Sequence, residues 1–244
     1  RLRLGISTRH DTGMTASAPD ILTFDLESVT VREINRTLHG LAAGSSVGIL
    51  SPDGAHNLAC GLTVPISIRI EGHTGYYCGG MNEEAEILVN GHTGTGVGEN
   101  MMSGRIEVTG NASQCAGASA HGGLLVIGGD TSSRCGISLK GGDIVVKGKA
   151  GAMTGFLAQK GTIVVCGDAG EGLGDSLYEA RIYVKGAVAS LGTDCIEKEM
   201  REEHLIQLAA LLEAAGCPDK PTDFRRYGSA RQLYHFHVEH AASY

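Results

Sequence analysis

Glycine recurs at Gly72, Gly91, Gly110, Gly129, Gly148, Gly167 and Gly186, a spacing of nineteen residues held through seven copies without a slip. With that glycine as position zero, position −4 reads Ile68, Ile87, Ile106, Leu125, Ile144, Ile163, Ile182, and position −2 reads Ile70, Val89, Val108, Ile127, Val146, Val165, Val184. Every one is aliphatic. Position +3 is always tiny (Gly75, Gly94, Ser113, Ser132, Gly151, Gly170, Ala189), and position +7 is glycine in six copies before it lapses at Thr193. Of the 37 glycines, 29 fall between Gly61 and Gly192, so the enrichment belongs to this repeat rather than to the chain as a whole.

A repeat of this length is one structural unit that cannot bury its own apolar face. Positions −4 and −2 lie on one side of a short strand, because side chains in a strand alternate with period two. Stacking the units puts Ile on Ile and Val on Val in ladders about 4.8 Å apart. The glycines fit corners where the chain turns sharply or where the next coil passes too close for a Cβ. The expected fold is an all-β solenoid, a parallel β-helix of about seven coils. Left-handed β-helices carry hexapeptide units and nineteen is not a multiple of six, so the expected hand is right. The calcium-binding nonapeptide pattern is rejected, since Gly128-Gly129-Asp130-Thr131 lacks its third glycine.

The open ends of a solenoid need covers. In front, Thr30-Val31-Arg32-Glu33 has the form of a capping box, and Val31, Ile34, Leu38 and Leu41 share one helical face. Behind, Asp194 to Glu197 repeats the signal, and Ile196, Met200, Leu205, Leu208 and Leu212 continue an apolar face up to Gly216 and Pro218. The expected organisation is an N-terminal segment with a capping helix (1–60), the glycine-rich β-helix (61–193), a second helix plugging the last coil (194–217), and a partner-binding tail (218–244).

Hydrophobic residues at 42% and charged residues at 19% describe a folded chain, and no apolar run reaches the roughly 18 residues of a membrane span. Twenty Lys and Arg against 27 Asp and Glu give a formal charge of −7, which disfavours nucleic acid and anionic lipid as partners. Seven cysteines without a C-x-x-C pair, and no apolar leader at the start, point away from a secreted disulfide scaffold and towards the cytoplasm.

The chemical motifs are weak. Gly170-Glu171-Gly172-Leu173-Gly174 resembles a nucleotide loop, but a strand at Arg181 to Val184 follows where a helix is required. Cys78, Cys115, Cys135 and Cys166 read as small packed hydrophobes, and the tightest pair, Cys60 and Cys78, is 18 positions apart, too far for an iron–sulfur motif. His73 and His92 share position +1 of adjacent coils and read as a stacked surface pair. His235, His237 and His240 project from the tail beside the basic group Arg225, Arg226 and Arg231. No nucleophile and base stand at a recognisable spacing. No residue is therefore expected to be catalytic, to bind a cofactor or to ligate a metal. Position −3 runs Arg69, Leu88, Glu107, Val126, Val145, Val164, Tyr183, so the middle coils are aliphatic on both strand faces and their outer face is also covered by protein. Val126, Val145 and Val164, with Arg225, Arg226 and Tyr227 of the tail, are the candidate interface.

The G-x-x-G-x-x-x-G coils, with the lead-in from Gly61 to Gly72, resemble the C-terminal β-helix domain of the glutamate synthase large subunit. The front helix and the stretch from Phe224 to Arg231 make the chain most similar to the stand-alone relatives of that domain, in particular the β-helix subunit of methylamine–glutamate N-methyltransferase (N-methylglutamate synthase). That resemblance implies two partners, a glutamine amidotransferase-like subunit and a synthase subunit carrying FMN and an iron–sulfur cluster. It implies a hetero-oligomer in which this chain holds the other two in register and carries no cofactor. The family's amidotransferase nucleophile is an N-terminal Cys, whereas no Cys precedes Cys60 here. The same scaffold role in another glutamine-dependent complex, the β-helix subunit of formylmethanofuran dehydrogenase, and a free-standing β-helix enzyme acting on polysaccharide are the competing readings.

Overall fold

In a computed structural model that describes residues 21–230, the strand of each repeat pairs in parallel with the strand of the next. The tail histidines His235, His237 and His240, and Arg231, lie outside the described residues. The order along the chain is β1 (Leu22–Asp25), α1 (Val31–Leu38), β2 (Ser46–Leu50), β3 (Ser67–Glu71), β4 (Glu86–Asn90), β5 (Arg105–Val108), β6 (Leu124–Ile127), β7 (Asp143–Val146), β8 (Thr162–Val165) and β9 (Arg181–Val184). Then come β10 (Cys195–Lys198), α2 (Glu202–Ala214), a 3-10 turn (Pro221–Asp223) and β11 (Arg225–Ser229). All eleven strands form one sheet, ordered β1 to β9, then β11, then β10. It is a parallel β-solenoid of about seven regular turns.

The register is the repeat itself. Ile68, Ile87, Ile106, Leu125, Ile144, Ile163 and Ile182 are successive partners, and so are the residues of the −2 column. Both columns are buried and belong to one continuous core. A second line of parallel bridges runs through position +2, from Thr74 and Thr93 to Ala169 and Val188. Two irregular coils precede the seven, since β2 pairs with β3 and β1 pairs with β2 at longer spacings. The sheet thus begins well before the glycine-rich segment.

The repeat glycines divide into two physical roles. Gly148 has an ordinary backbone conformation, but a Cβ there would lie 2.7 Å from the Gly129 carbonyl oxygen of the preceding coil. Gly136, at position +7, has a φ of 67°, and its Cβ would also strike Ile163 of the core. Sterics therefore exclude side chains at the first position even without backbone strain, and exclude them on both counts at the second.

At position +1 a polar ladder accompanies the stack. Backbone N–H groups of His92, Asn111, Asp130 and Lys149 donate to the side chains of His73, His92, Asn111 and Asp130 respectively, at 2.7 to 3.0 Å, and Ala187 donates to Asp168. Each rung satisfies a donor that the turning backbone would otherwise leave free. The His73 and His92 rings stack at 4.8 Å between centroids, as the spacing of adjacent coils requires.

The front helix follows the sequence reading. Thr30 Oγ1 accepts from the Glu33 N–H, and Glu33 returns to the Thr30 N–H, closing the capping box. Ile34 and Leu38 are fully buried against the front of the core, and Asn35 bonds the backbone of Asn57 and Ala59.

The rear differs from expectation. Asp194 has a φ of 58°, which no helix N-cap adopts, and Cys195–Lys198 is a strand. The back edge is closed by β11, inserted antiparallel between β9 and β10. The helix starts only at Glu202 and lies on the outer face of the sheet instead of plugging its end. Its first turn is held by His204, a buried side chain whose Nδ1 accepts from the Arg201 N–H at 3.1 Å.

Two outcomes follow from this geometry. Gly148→Val is expected to abolish cooperative folding, whereas Gly44→Ala, where φ is 80° and no atom lies within 4 Å of the added Cβ, is expected to cost only about 1–2 kcal/mol in a denaturant melt. Burial, with Arg226 nearby, lowers the pKa of His204 below its ordinary 6.5. A base depressed in the folded state contributes stability above its unfolded pKa and loses it as pH falls. The melting temperature is expected to drop as pH falls below about 6.5, and His204→Gln is expected to flatten that part of the profile.

Candidate functional site

The outer face of the solenoid was the leading candidate interface, and the structure closes half of it from within. Val126, Val145, Val164 and Tyr183 are completely buried beneath Leu208, Leu211 and Leu212 of α2, its C-terminal capping residue Ala215, and Phe224. These helix residues recur at intervals of three and four, the spacing of a single helical face. The covering element is thus this chain's own C-terminal helix, and the three valines are not open to another subunit. The aliphatic column correctly signals burial, but it does not say which chain provides the cover. Polar contacts fix the helix at its middle and at its C-terminal end. Arg181 donates to Gln207 Oε1 at 2.6 Å, and Arg105 donates to the Ala214 carbonyl at 2.9 Å, placing a cation at the helix C-terminus.

The three tail candidates are likewise engaged internally. Tyr227 is buried in β11 between Ile182 and Glu197. Arg225 donates to the Gly186 carbonyl at 3.0 Å and lies 3.7 Å from Glu197, while Arg226 donates to the Glu199 carbonyl at 2.9 Å. These contacts sew the last strands to the solenoid, so Arg225, Arg226 and Tyr227 belong to the rear edge of the fold.

What remains open lies elsewhere. Ahead of α2 the outer column continues through Gly48, Arg69, Leu88 and Glu107, and a groove of about 400 Å³ runs over β2 to β5. A second groove, of about 640 Å³, lies where the β7 to β9 corners meet β10, β11 and α2. Lys160, Arg181, Lys198 and Arg226 line it against Asp143 and Glu179, so its lining is net cationic. Burial holds Asp143 above the usual carboxylate range and lowers Arg226, with Arg181 and Arg201 adding like-charge repulsion.

Six of the seven cysteines fall into two groups. Burial pushes the Cys78 and Cys135 thiols up to about 12, and those of Cys60 and Cys195 up to about 11. At neutral pH these four are protonated and poor nucleophiles. The second group is invisible in the sequence. Cys166, just after β8, meets Cys217, just after α2, with 3.4 Å between sulfurs although they are 51 positions apart in the chain. Asp219 Oδ2 is 3.5 Å from the Cys217 sulfur, and Asp219 Oδ1 pairs with Lys185 at 2.6 Å. The two thiols and the carboxylate are the described group able to hold a metal ion. Spacing within the repeat cannot reveal this contact, because one partner comes from the helix that folds back over the sheet.

No family model matches the sequence. Protein GlxC of Rhizobium meliloti (strain 1021) is 55% identical over 224 residues, which cover 90% of this chain and 98% of the relative. The chain belongs to the GlxC family. The match takes in nearly the whole GlxC protein. No described helix is long and apolar enough to cross a membrane.

Internal closure of the outer face can be tested directly. Changing Val145 and Val164 together to Lys places two unpaired charges beneath α2, at a cost of several kcal/mol. The isolated chain is expected to lose α2 packing, with a large fall in melting temperature; an unchanged melting curve would show the face to be open.

Proposed function

We propose that this chain is the structural, non-catalytic β-solenoid subunit of a cytoplasmic glutamate synthase-like complex, most specifically N-methylglutamate synthase. That complex takes methylamine and L-glutamate to N-methyl-L-glutamate and ammonia. The proposal rests on one observation above the others: a solenoid built on the G-x-x-G-x-x-x-G coil, which resembles the glutamate synthase β-helix domain, in a chain that aligns with nearly the whole length of its GlxC relative. A domain that is fused to catalytic modules in one protein and separate in another needs non-covalent contacts to do the same work, so a hetero-oligomer follows.

The physical character of the chain supports a spacer. Nine parallel strands at about 4.8 Å give a stack on the order of 40 Å long. Its core is continuous from α1 to Tyr227. The buried thiols are chemically quiet. Two thiols and one carboxylate do not fit the four-thiolate ligation of an iron–sulfur cluster, so the cluster and FMN of the proposed complex are assigned to a synthase subunit, and amide hydrolysis to an amidotransferase-like subunit.

Gentle isolation of the tagged protein from its native cells tests this. Flavin and iron–sulfur absorbance is expected to arrive with two larger chains, and methylamine rather than glutamine is expected to serve as the nitrogen donor for the purified assembly. A colourless chain of 25.3 kDa isolated alone would contradict the subunit role.

A further inference from the structure

We infer that Cys166, Cys217 and Asp219 form a binding site for a thiophilic divalent cation of the zinc type, which fastens the end of α2 to the solenoid. The Cys166 sulfur, the Cys217 sulfur and a carboxylate oxygen of Asp219 all lie within 4.8 Å of one another. This is the spread expected of ligands around one ion with metal–sulfur distances near 2.3 Å and metal–oxygen distances near 2.0–2.2 Å. At 3.4 Å the sulfurs are much farther apart than the roughly 2.05 Å of a disulfide and close to the separation of two thiolates sharing a tetrahedral ion.

The charges agree with this assignment. Two thiolates and a carboxylate bring three negative charges, a divalent ion brings two positive, and Lys185 on Asp219 supplies the last. Asp219 is oriented for ligation, since Lys185 occupies Oδ1 while Oδ2 faces Cys217. A carboxylate held by a second partner in this way is the usual outer support of a metal ligand. Cys166 and Cys217 are both half-buried, so water can complete the coordination. The soft sulfur pair selects zinc-like ions over magnesium or calcium.

The site has a structural consequence. Cys166 follows a core strand of the solenoid, whereas Cys217 and Asp219 follow the helix that covers the valine column. An ion bound to all three closes α2 over Val126, Val145 and Val164, and it stabilises the closed form by mass action.

The test uses the full chain, reduced and freed of metal, titrated with Co²⁺ and monitored in the near-ultraviolet, where a thiolate-to-cobalt charge-transfer band reports sulfur ligation that histidine cannot mimic. The band is expected to saturate at one equivalent and to disappear on adding Zn²⁺. Cys217→Ser is expected to abolish it, and Asp219→Asn to weaken Co²⁺ binding at least tenfold, with both metal-free variants keeping the circular dichroism of the parent. Absence of the band in the parent chain, or its persistence in Cys217→Ser, would overturn the assignment. So would an intact mass two hydrogens short with Cys166 joined to Cys217, which would make the pair a disulfide.

Discussion

Everything in this molecule depends on how closely consecutive coils approach. At position zero the backbone of one coil passes the backbone of the next with no room for a Cβ, as Gly148 over Gly129 shows. That approach sets the strand pairing in one dimension, which places Ile over Ile and Val over Val and lets side chains of position +1 accept backbone N–H groups from the adjacent coil. A substitution at a repeat glycine therefore acts on the core, the sheet and the polar ladder at once. Stability in such a stack comes from interfaces between neighbours, so a fault in one coil weakens both of its contacts.

The second constraint is the fate of the sheet's outer face. A strand with Val on both sides cannot remain half exposed, and here the chain resolves this by returning α2 across β6 to β9. The front half, with Arg69 and Glu107 in the same column, is polar enough to stay open. This asymmetry separates a closed rear from an accessible front. The thiol and carboxylate cluster sits where the returning helix ends, so the element that completes the fold also brings together the residues with metal-binding chemistry.

The repeat made much of the architecture legible. Period nineteen, alternation within each strand and the Thr30 capping box led to the solenoid, its core columns and α1, because each depends on residues close in sequence or related by a fixed step. The rear of the molecule was not legible for the same reason. Asp194 and Glu197 mimic a helix start, but pairing of Cys195–Lys198 with β11 overrides that local signal. Val126, Val145 and Val164 announced a cover without naming it, since a helix from the same chain and a partner subunit present the same apolar chemistry. Cys166 and Cys217 meet only through the path of α2, and no spacing rule connects residues brought together that way.

The central claim is that the solenoid and its cover are complete within one chain. Native-state hydrogen exchange on the isolated protein, read segment by segment, tests it most directly. The account predicts that amides of β6 to β9 and of α2 from Leu208 to Leu212 are protected together and open in one cooperative step. Fast exchange throughout α2 while the strands stay protected would contradict it, showing that the valine column is left for another subunit to cover.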